Sequence, residues 1–218
     1  MNLVKMIKNI LSEFLGTLLL VCIVVGSGIM GENLSSGNDA ISLLANSLAT
    51  FWGLYFLITI FSVNSSHFNP AVSLVMHIRG EIKFLTFLFF VFAQSLGAML
   101  GAILANVMFG FEYIEFSEKP RTGVNIWLSE IVATAGLLIV ILASPKDKVA
   151  IMVASFIGAA YWFTSSTSFA NPAVTFGRIF SDSFAGISPY DFPMFVLMQF
   201  VGCLAGLGIY KIIFPQQD

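Results

Sequence analysis

Charged residues are scarce in this sequence of 218 amino acids. Asp, Glu, Lys and Arg make up 10 % of the chain, against roughly 25 % in soluble proteins, while 57 % of the residues are apolar. A globule of this size could not cover its surface with so few charges, so much of that surface is expected to face hydrocarbon. The formal net charge is only −2, which argues against a nucleic-acid-binding protein with a basic surface. The composition indicates an integral membrane protein.

The residue types that carry most enzyme and metal chemistry are also few. The two cysteines, Cys22 and Cys203, both lie inside apolar runs without a disulfide framework around them. The two histidines, His67 and His77, flank a short apolar segment without the spacing of metal ligands. Neither cysteine has a base nearby in the sequence. We therefore predict that the protein is not an enzyme and that it uses no metal or other cofactor.

Long apolar runs account for most of the chain. A bilayer core about 30 Å thick requires about 20 mainly apolar residues per spanning helix. The candidate runs cover residues 8–29, 41–62, 83–108, 126–144, 149–165 and 191–214. Lys and Arg between these runs fall mostly on one side, which the positive-inside rule makes cytoplasmic. The pattern predicts six membrane-spanning helices with both termini in the cytoplasm.

Two segments between the spans, 63–80 and 164–186, do not fit this scheme. Each begins with small polar residues and continues as an apolar stretch of about ten residues, which is too short to cross a bilayer. Irregular backbone at membrane depth is tolerated only where it is buried in protein or lines a water-filled cavity. The two segments therefore predict re-entrant half-helices and a cavity between them.

The re-entrant segments belong to an internal repeat. Ser12-Glu13 in the first span is matched by Ser129-Glu130 in the fourth. Asn69-Pro70-Ala71 is likewise matched by Asn171-Pro172-Ala173. Each unit contains three spans, an odd number, so the second unit is predicted to be inverted in the membrane.

This repeat predicts a single transmembrane channel domain over residues 1–218. Its two units cover about 1–110 and 120–218. Inverted repeats of this kind place the functional site near the midplane of the membrane, at the interface between the units.

The duplicated Asn-Pro-Ala tripeptide has a direct physical meaning. Asn is a good helix N-cap, and Pro suits the first helical position because its missing N–H would be unpaired there anyway. Two half-helices that start near the midplane bring their N-termini together, each with roughly half a positive charge, so a cation would be repelled. A capping Asn can accept with its side-chain oxygen and still donate from its amide. We therefore expect Asn69 and Asn171 to donate to a neutral hydroxylated solute.

With these features the sequence resembles the aquaporin, or major intrinsic protein, family over essentially its whole length. The resemblance implies an all-α membrane protein, a right-handed bundle of six transmembrane helices plus two re-entrant half-helices. It also implies one pore per subunit and assembly as a homotetramer. Residues 160–175 are similar to bacterial members associated with arsenic-resistance operons. That similarity implies a bacterial inner membrane and arsenite or methylated arsenicals as candidate solutes.

Glu13 and Glu130 are carboxylates inside apolar runs, where a charge costs about 3 kcal/mol or more. One interpretation is a proton relay. The other is that each accepts hydrogen bonds from the neighbouring re-entrant loop and braces it. Each Glu is predicted to lie at the same membrane depth as one of these loops, which favours bracing.

The resemblance also implies the positions of a selectivity filter. Most family members carry Arg directly after the second Asn-Pro-Ala, and this sequence has Val174 there. Counting from the motifs assigns Ser168, Ala159 and Ala49 to the filter, with Phe51 or Trp52 as alternatives to Ala49. The next arginine is Arg178, predicted either to line the outer vestibule or to cap the last carbonyls of the half-helix.

A ring of Ala49, Ala159, Ser168 and Val174 would be small, uncharged and mostly apolar. It predicts a wide passive channel for glycerol-like polyols, arsenite or methylated arsenicals, with water also passing. Two alternatives remain. One is a narrow, water-selective channel, and the other is a proton-coupled secondary transporter that uses Glu13 and Glu130.

Overall fold

The computed structural model describes residues 3–214, and within this range all regular secondary structure is helical. In chain order the helices are α1 (Leu3–Leu34), α2 (Asp39–Phe61), α3 (Pro70–Ile78), α4 (Phe84–Met108), α5 (Val124–Ala143), α6 (Val149–Phe163), α7 (Pro172–Gly177) and α8 (Phe192–Ile213). A single 3₁₀ turn, Arg178–Phe180, continues α7. The predicted all-α class is confirmed.

Six of these helices are strongly apolar. Five are long enough and apolar enough to cross a membrane, and α6, with 15 residues, is a shorter apolar helix. Large apolar side chains on their outer surfaces are exposed, including Phe92 at 70 % and Ile212 at 85 %. Exposure on this scale requires hydrocarbon around the protein. The protein is an integral, multi-pass membrane protein.

The order of elements is the same in the two halves of the chain. Two long helices are followed by a half-helix and another long helix, first as α1 to α4 and then as α5 to α8. The predicted half-helices are present, but α7 has six residues instead of about ten, because its last turn tightens into the 3₁₀ turn. Helix α3 has nine residues and is followed by a turn at Gly80, whose φ of 79° suits glycine.

Glycines let the long helices approach closely. A Cβ atom on Gly97 or Gly101 of α4 would collide with the backbone of α1. On α8, a Cβ on Gly202 or Gly206 would lie 2.6 Å from a carbonyl oxygen of α5. These pairs of glycines, four residues apart, therefore let α1 pack closely against α4 and α5 against α8. The two pairs enclose the half-helices and the loops that precede them. The first loop is residues 62–69, and the second loop is residues 164–171.

Candidate pore and selectivity filter

The two half-helices start in the same way because their first residues are the same. Asn69 caps α3, and its side-chain oxygen accepts a hydrogen bond of 2.9 Å from the N–H of Ala71. Asn171 caps α7 and accepts from the N–H groups of Ala173 and Val174, at 3.0 and 3.2 Å. Pro occupies the first helical position in both cases. The local chemistry of the tripeptide therefore produces both helix starts.

The two asparagines also join the two loops. The side-chain amide of Asn69 donates to the carbonyl of Ala170 at 2.8 Å, and that of Asn171 donates to the carbonyl of Phe68 at 2.7 Å. Each amide group carries two hydrogens, so one remains after this bond is made. The sequence predicted amide donors directed at a solute, but it did not predict this reciprocal exchange between the two halves of the chain.

The residues that supply the carbonyls have unusual backbone conformations. Phe68 and Ala170, each directly before its asparagine, have φ values of 49° and 48°. Ser168, two residues earlier in the second loop, has a φ of 51°. Left-handed backbone at a non-glycine residue costs about 1–2 kcal/mol. Such strain persists only when neighbouring contacts over-determine it, and here it turns the two carbonyls towards the opposite loop.

Two buried carboxylates supply those contacts. Glu13 on α1 accepts hydrogen bonds from the backbone N–H groups of His67 and Phe68, at 2.8 and 2.7 Å. It also accepts from the hydroxyl of Ser65 and, at 2.7 Å, from the side-chain amide of Gln94 on α4. The oxygen atoms of this carboxylate thus accept hydrogen bonds from the first loop and from the neighbouring helix α4.

Glu130 on α5 makes the equivalent bonds in the second half. It accepts from the backbone N–H groups of Phe169 and Ala170, both at 3.0 Å, and from the side-chain amide of Gln199 on α8 at 2.7 Å. Glu13 and Glu130 are both fully buried, and both lie outside the set of described residues that line the cavity.

A cavity of about 270 Å³ passes between the two loops. Val, Leu, Ile and Met side chains from α1, α2, α3, α5 and α6 form the apolar part of its lining. The polar part includes both capping asparagines. Its polar and aromatic lining residues are Thr50, Ser66, His67, Phe68, Asn69, Tyr161, Ser168, Phe169, Asn171 and Arg178. A neutral solute would meet both hydrogen-bonding groups and hydrocarbon in this cavity.

The structure places two of the four predicted filter residues on this cavity. Ser168 and Val174 line it, and both are buried. Ala49 and Ala159 lie outside its lining residues, and Ala159 is exposed on the outer surface of α6. Counting back from the motifs was wrong for these two positions, because one residue along a helix turns a side chain by about 100°.

Thr50 and Tyr161 line the cavity from α2 and α6 instead. Their hydroxyl groups lie 3.1 Å apart and share a hydrogen bond. The alternatives to Ala49 are not supported either, since Trp52 is 58 % exposed and Phe51 packs beside Gly158. A hydroxyl group inside an apolar span was the signal that could have identified both residues, since such groups are costly in lipid unless they have a partner.

Arg178 lines the same cavity and is only 2 % exposed. Its Nε donates to the carbonyl of Ala185, in the loop that follows the 3₁₀ turn. Its guanidinium carbon lies 3.4 Å from the centre of the Phe169 ring. Among the described residues its side chain makes no bond to a carbonyl of α7, but its backbone N–H caps this half-helix by donating to the carbonyl of Val174. The lining of the cavity therefore contains this guanidinium in addition to Val174.

Two further basic side chains lie near Arg178. Lys119 donates to the carbonyl of Phe184 at 2.9 Å, and Arg121 donates to the carbonyl of Gly186 at 2.7 Å. Burial is the main cause that lowers the pKa of Arg121 to about 10, which still leaves it protonated at neutral pH. Within residues 3–214, there is no group of three or more His, Cys, Asp or Glu side chains that could hold a metal ion.

The fold and the site together define a class of protein, a passive membrane channel with Asn-capped half-helices on either side of its pore. The Major intrinsic protein family model matches residues 1–167, which is more than half of the chain. The chain belongs to this family. Members of the family are channels and not enzymes, which confirms the prediction that the protein has no enzyme activity.

Individual relatives agree with this assignment. The chain is 44 % identical over 208 residues to the aquaglyceroporin AqpS of Rhizobium meliloti (strain 1021), covering 94 % of this chain and 89 % of that protein. It is 29 % identical over 224 residues to aquaporin NIP1-1 of Zea mays, covering 96 % and 76 % of the two chains. The X-ray structure of the aquaglyceroporin from Plasmodium falciparum has the same fold, with a TM-score of 0.73, 23 % identity and coverage of 96 % and 98 %.

Proposed function

We propose that this protein is a passive channel for water and small uncharged hydroxylated solutes. The observation that carries the proposal is the cavity between the two loops, where Asn69 and Asn171 both reach the lumen. Their side-chain oxygens are used as helix caps, so the groups left for a solute are amide donors. Solutes with oxygen acceptors fit such a lining.

Glycerol-like polyols, arsenite and methylated arsenicals are the solutes we propose beyond water. All are small and hydroxylated, and arsenite is uncharged at neutral pH. Val174 supports this range, because a short apolar side chain occupies the position directly after the second Asn-Pro-Ala and lines the cavity. The name of the relative AqpS, an aquaglyceroporin, supports a glycerol-sized solute as well.

Cations are expected to be excluded near the middle of the cavity. The asparagines that cap α3 and α7 hydrogen-bond across to the opposite loops, so the two helix starts lie close together. Each start contributes positive partial charge where little solvent screens it. This supports a channel for neutral solutes over an ion channel.

The carboxylates argue against a proton-coupled transporter. Glu13 and Glu130 hold backbone N–H groups of the two loops and lie outside the cavity lining. A proton relay would need a carboxylate that reaches the solute pathway. We therefore propose that both residues brace the loops.

A water-selective channel is the second candidate, and one observation favours it. The hydrogen bond between Thr50 and Tyr161 ties α2 to α6 at the cavity wall, and Arg178 lines the same cavity. Together these groups would narrow the lumen more than a ring of alanines. The two candidates differ in whether glycerol passes.

Liposome flux tests the proposal. Wild-type protein should pass water, glycerol and arsenite, without coupling to a pH gradient. Val174→Arg adds a long cationic side chain to a cavity that already contains Arg178. It should lower glycerol and arsenite flux by about tenfold or more, since each 1.4 kcal/mol added to a barrier slows passage about tenfold. Water flux should fall less, because water is smaller.

Val174→Leu is the matched control for this substitution, because it adds volume without charge. It should reduce glycerol flux less than Val174→Arg does. Wild-type vesicles that pass water but exclude both glycerol and arsenite would establish the water-selective candidate instead. Uptake that depends on a pH gradient would establish the transporter.

We further propose that residues 1–218 form one channel domain of two inverted repeats, about 1–110 and 120–218, with both termini in the cytoplasm. The repeated order of helices supports the first part. The distribution of Lys and Arg supports the second. We propose a homotetramer on the basis of family membership, and a bacterial plasma membrane because the relative AqpS is bacterial.

A further inference from the structure

A second cavity lies between helices α4 and α8, and its volume is about 230 Å³. Val91 and Ser95 line it from α4, while Val196 and Phe200 line it from α8. All four side chains are half-buried, so the cavity is open to the surroundings of the protein. Within residues 3–214 both helices pack against the half-helices and have almost no contact with each other. They are therefore the two walls of a groove, which we call the α4–α8 groove.

The floor of the groove is formed by the first residues of the half-helices. Pro70 and Pro172 both line it, and each directly follows an asparagine that lines the pore cavity. Within residues 3–214 no residue lines both cavities, and no residue of α4 or α8 lines the pore cavity. The groove is therefore separate from the pore, although both adjoin the starts of the two half-helices.

The position of these helix starts gives the depth of the groove. Hydrogen bonds from Asn69 to Ala170 and from Asn171 to Phe68, at 2.8 and 2.7 Å, join the start of each half-helix to the opposite loop. Each half-helix belongs to one of the two repeats, which are proposed above to be inverted. Inverted repeats meet near the middle of the bilayer. The expected depth of the groove is therefore the midplane, and it rests on that proposal.

The chemistry of the lining is suited to hydrocarbon. Among the described residues that line the groove, Ser95 is the single polar one, and the others are Val, Phe and Pro. An apolar cavity of about 150 Å³ in another protein stays dry and binds benzene. The α4–α8 groove is larger, so we expect it to exclude water and to accept a hydrocarbon group.

The shape and surroundings of the groove indicate which hydrocarbon it accepts. Phe92 and Leu197, each next to a lining residue, are 70 % and 51 % exposed, so the groove is continuous with the surface that faces the membrane. Phe192 and Phe200 both line it and are eight residues apart, which gives a length of about 12 Å along α8. In the middle of a bilayer, the end of an acyl chain is the hydrocarbon that has this elongated form.

We propose that the α4–α8 groove is a binding site for the terminal part of a phospholipid acyl chain, which packs against Pro70 and Pro172 between the two helices. Lipid tails are as apolar as the groove, so packing, and not the hydrophobic effect, favours this location. A chain in the groove contacts protein atoms on several sides, whereas a chain on a convex helix surface contacts them on one. Each added contact contributes a small dispersion attraction, and many such contacts add up.

Two competing interpretations make different predictions. If bulk lipid covers the surface without preference, contact with lipid follows exposure, and Phe92 meets more lipid than the half-buried Val91. If a second copy of the chain covers this face, both residues are shielded from lipid. A bound acyl chain gives the reverse of the first order, with Val91 in closer contact than Phe92.

Photolabelling from the lipid distinguishes these cases. The full chain is reconstituted into phosphatidylcholine vesicles that contain a small proportion of a diazirine-labelled phospholipid. The diazirine lies either at the methyl end of one acyl chain or next to its ester. After irradiation, mass spectrometry of peptides measures labelling at Val91 relative to Phe92. This ratio should be higher with the methyl-end probe, because the groove is expected at the midplane. Comparing the two probes at the same residues cancels differences in side-chain reactivity.

Val196→Phe fills the groove from α8, and Leu197→Phe, at the neighbouring exposed residue, is its matched control. Filling should lower the Val91-to-Phe92 ratio about tenfold with the methyl-end probe, since the loss of about ten contacts between non-bonded atoms weakens binding about tenfold. Leu197→Phe should leave the ratio as in wild type. If Val196→Phe gives no folded protein, Ser95→Leu fills the groove from α4, and labelling is then read at Val196 relative to Leu197.

Each result decides between the interpretations. A fall in the ratio that is confined to the groove-filling variant supports the acyl-chain site. A ratio that is the same for both probes, or that changes equally in the filling variant and its control, overturns the proposal in favour of bulk lipid. Absence of label from both Val91 and Phe92 overturns it in favour of a second copy. Failure of the proposed channel function looks different, since it would appear in the flux measurements and leave the labelling ratio unchanged.

Discussion

Replacing Glu13 by alanine is expected to abolish glycerol flux and to lower the apparent melting temperature of the protein in detergent more than Gly101→Ala does. The backbone N–H groups of His67 and Phe68 and the amide of Gln94 would all lose their acceptor. Each buried donor left unpaired costs about 1–3 kcal/mol, so the total is about 3 kcal/mol or more. The strained backbone of Phe68 would then relax, and its carbonyl would no longer face Asn171.

Two further variants make this prediction specific. Glu112→Ala removes a carboxylate from an exposed loop residue and should change stability by no more than about 0.5 kcal/mol. Glu130→Gln retains one acceptor oxygen towards the second loop, so it should lose less stability than Glu130→Ala. A Glu13→Gln protein that stays as stable as wild type but changes its response to a pH gradient would contradict bracing and support a proton relay.

Gly101→Ala is also expected to cause a large loss of stability. A Cβ at this position would collide with the backbone carbonyl of Leu18 on α1, and a backbone atom cannot move aside as a flexible side chain can. Helices α1 and α4 would have to separate, and overpacking of this kind costs about 1–3 kcal/mol. Because Glu13 and Gln94 lie on these two helices, glycerol flux should fall together with the melting temperature.

Gly208→Ala is the matched control on another spanning helix. A Cβ at Gly208 would meet nothing within 4 Å. Alanine also has the higher helix propensity, by up to about 1 kcal/mol, so this variant should be as stable as wild type or more stable. Equal melting temperatures for Gly101→Ala and Gly208→Ala would show that the close approach of α1 and α4 is not required.

The spans and half-helices could be predicted from the sequence because the forces that produce them are local. Apolar runs of sufficient length predicted the long helices, and every predicted run overlaps a helix in the structure. Asn followed by Pro predicted both half-helix starts, since capping depends on residues two and three positions away. The length of α7 was overestimated, because its last turn, Arg178–Phe180, is a 3₁₀ turn and not α-helix.

Only some of the residues that line the cavity could be predicted from the sequence. Ser168 and Val174 lie within three residues of Asn171, so counting from the second Asn-Pro-Ala identified both. Thr50 lies in α2 and Tyr161 lies in α6, and both helices are separate from the half-helices that carry the motifs. Their rotation towards the cavity depends on how α2 and α6 pack, which residue counting could not supply.

The scarcity of charge determined by itself that this chain lies in a membrane, and the duplicated tripeptide determined that two helices begin inside it. Both follow from transfer free energies and capping bonds that act within a few residues. Only the tertiary structure decided what the remaining charges do. Glu13 and Glu130 meet loops that are 55 and 40 residues away along the chain. Arg178 reaches the lumen because a carbonyl and an aromatic ring hold it there, and such contacts exist only once the helices have packed.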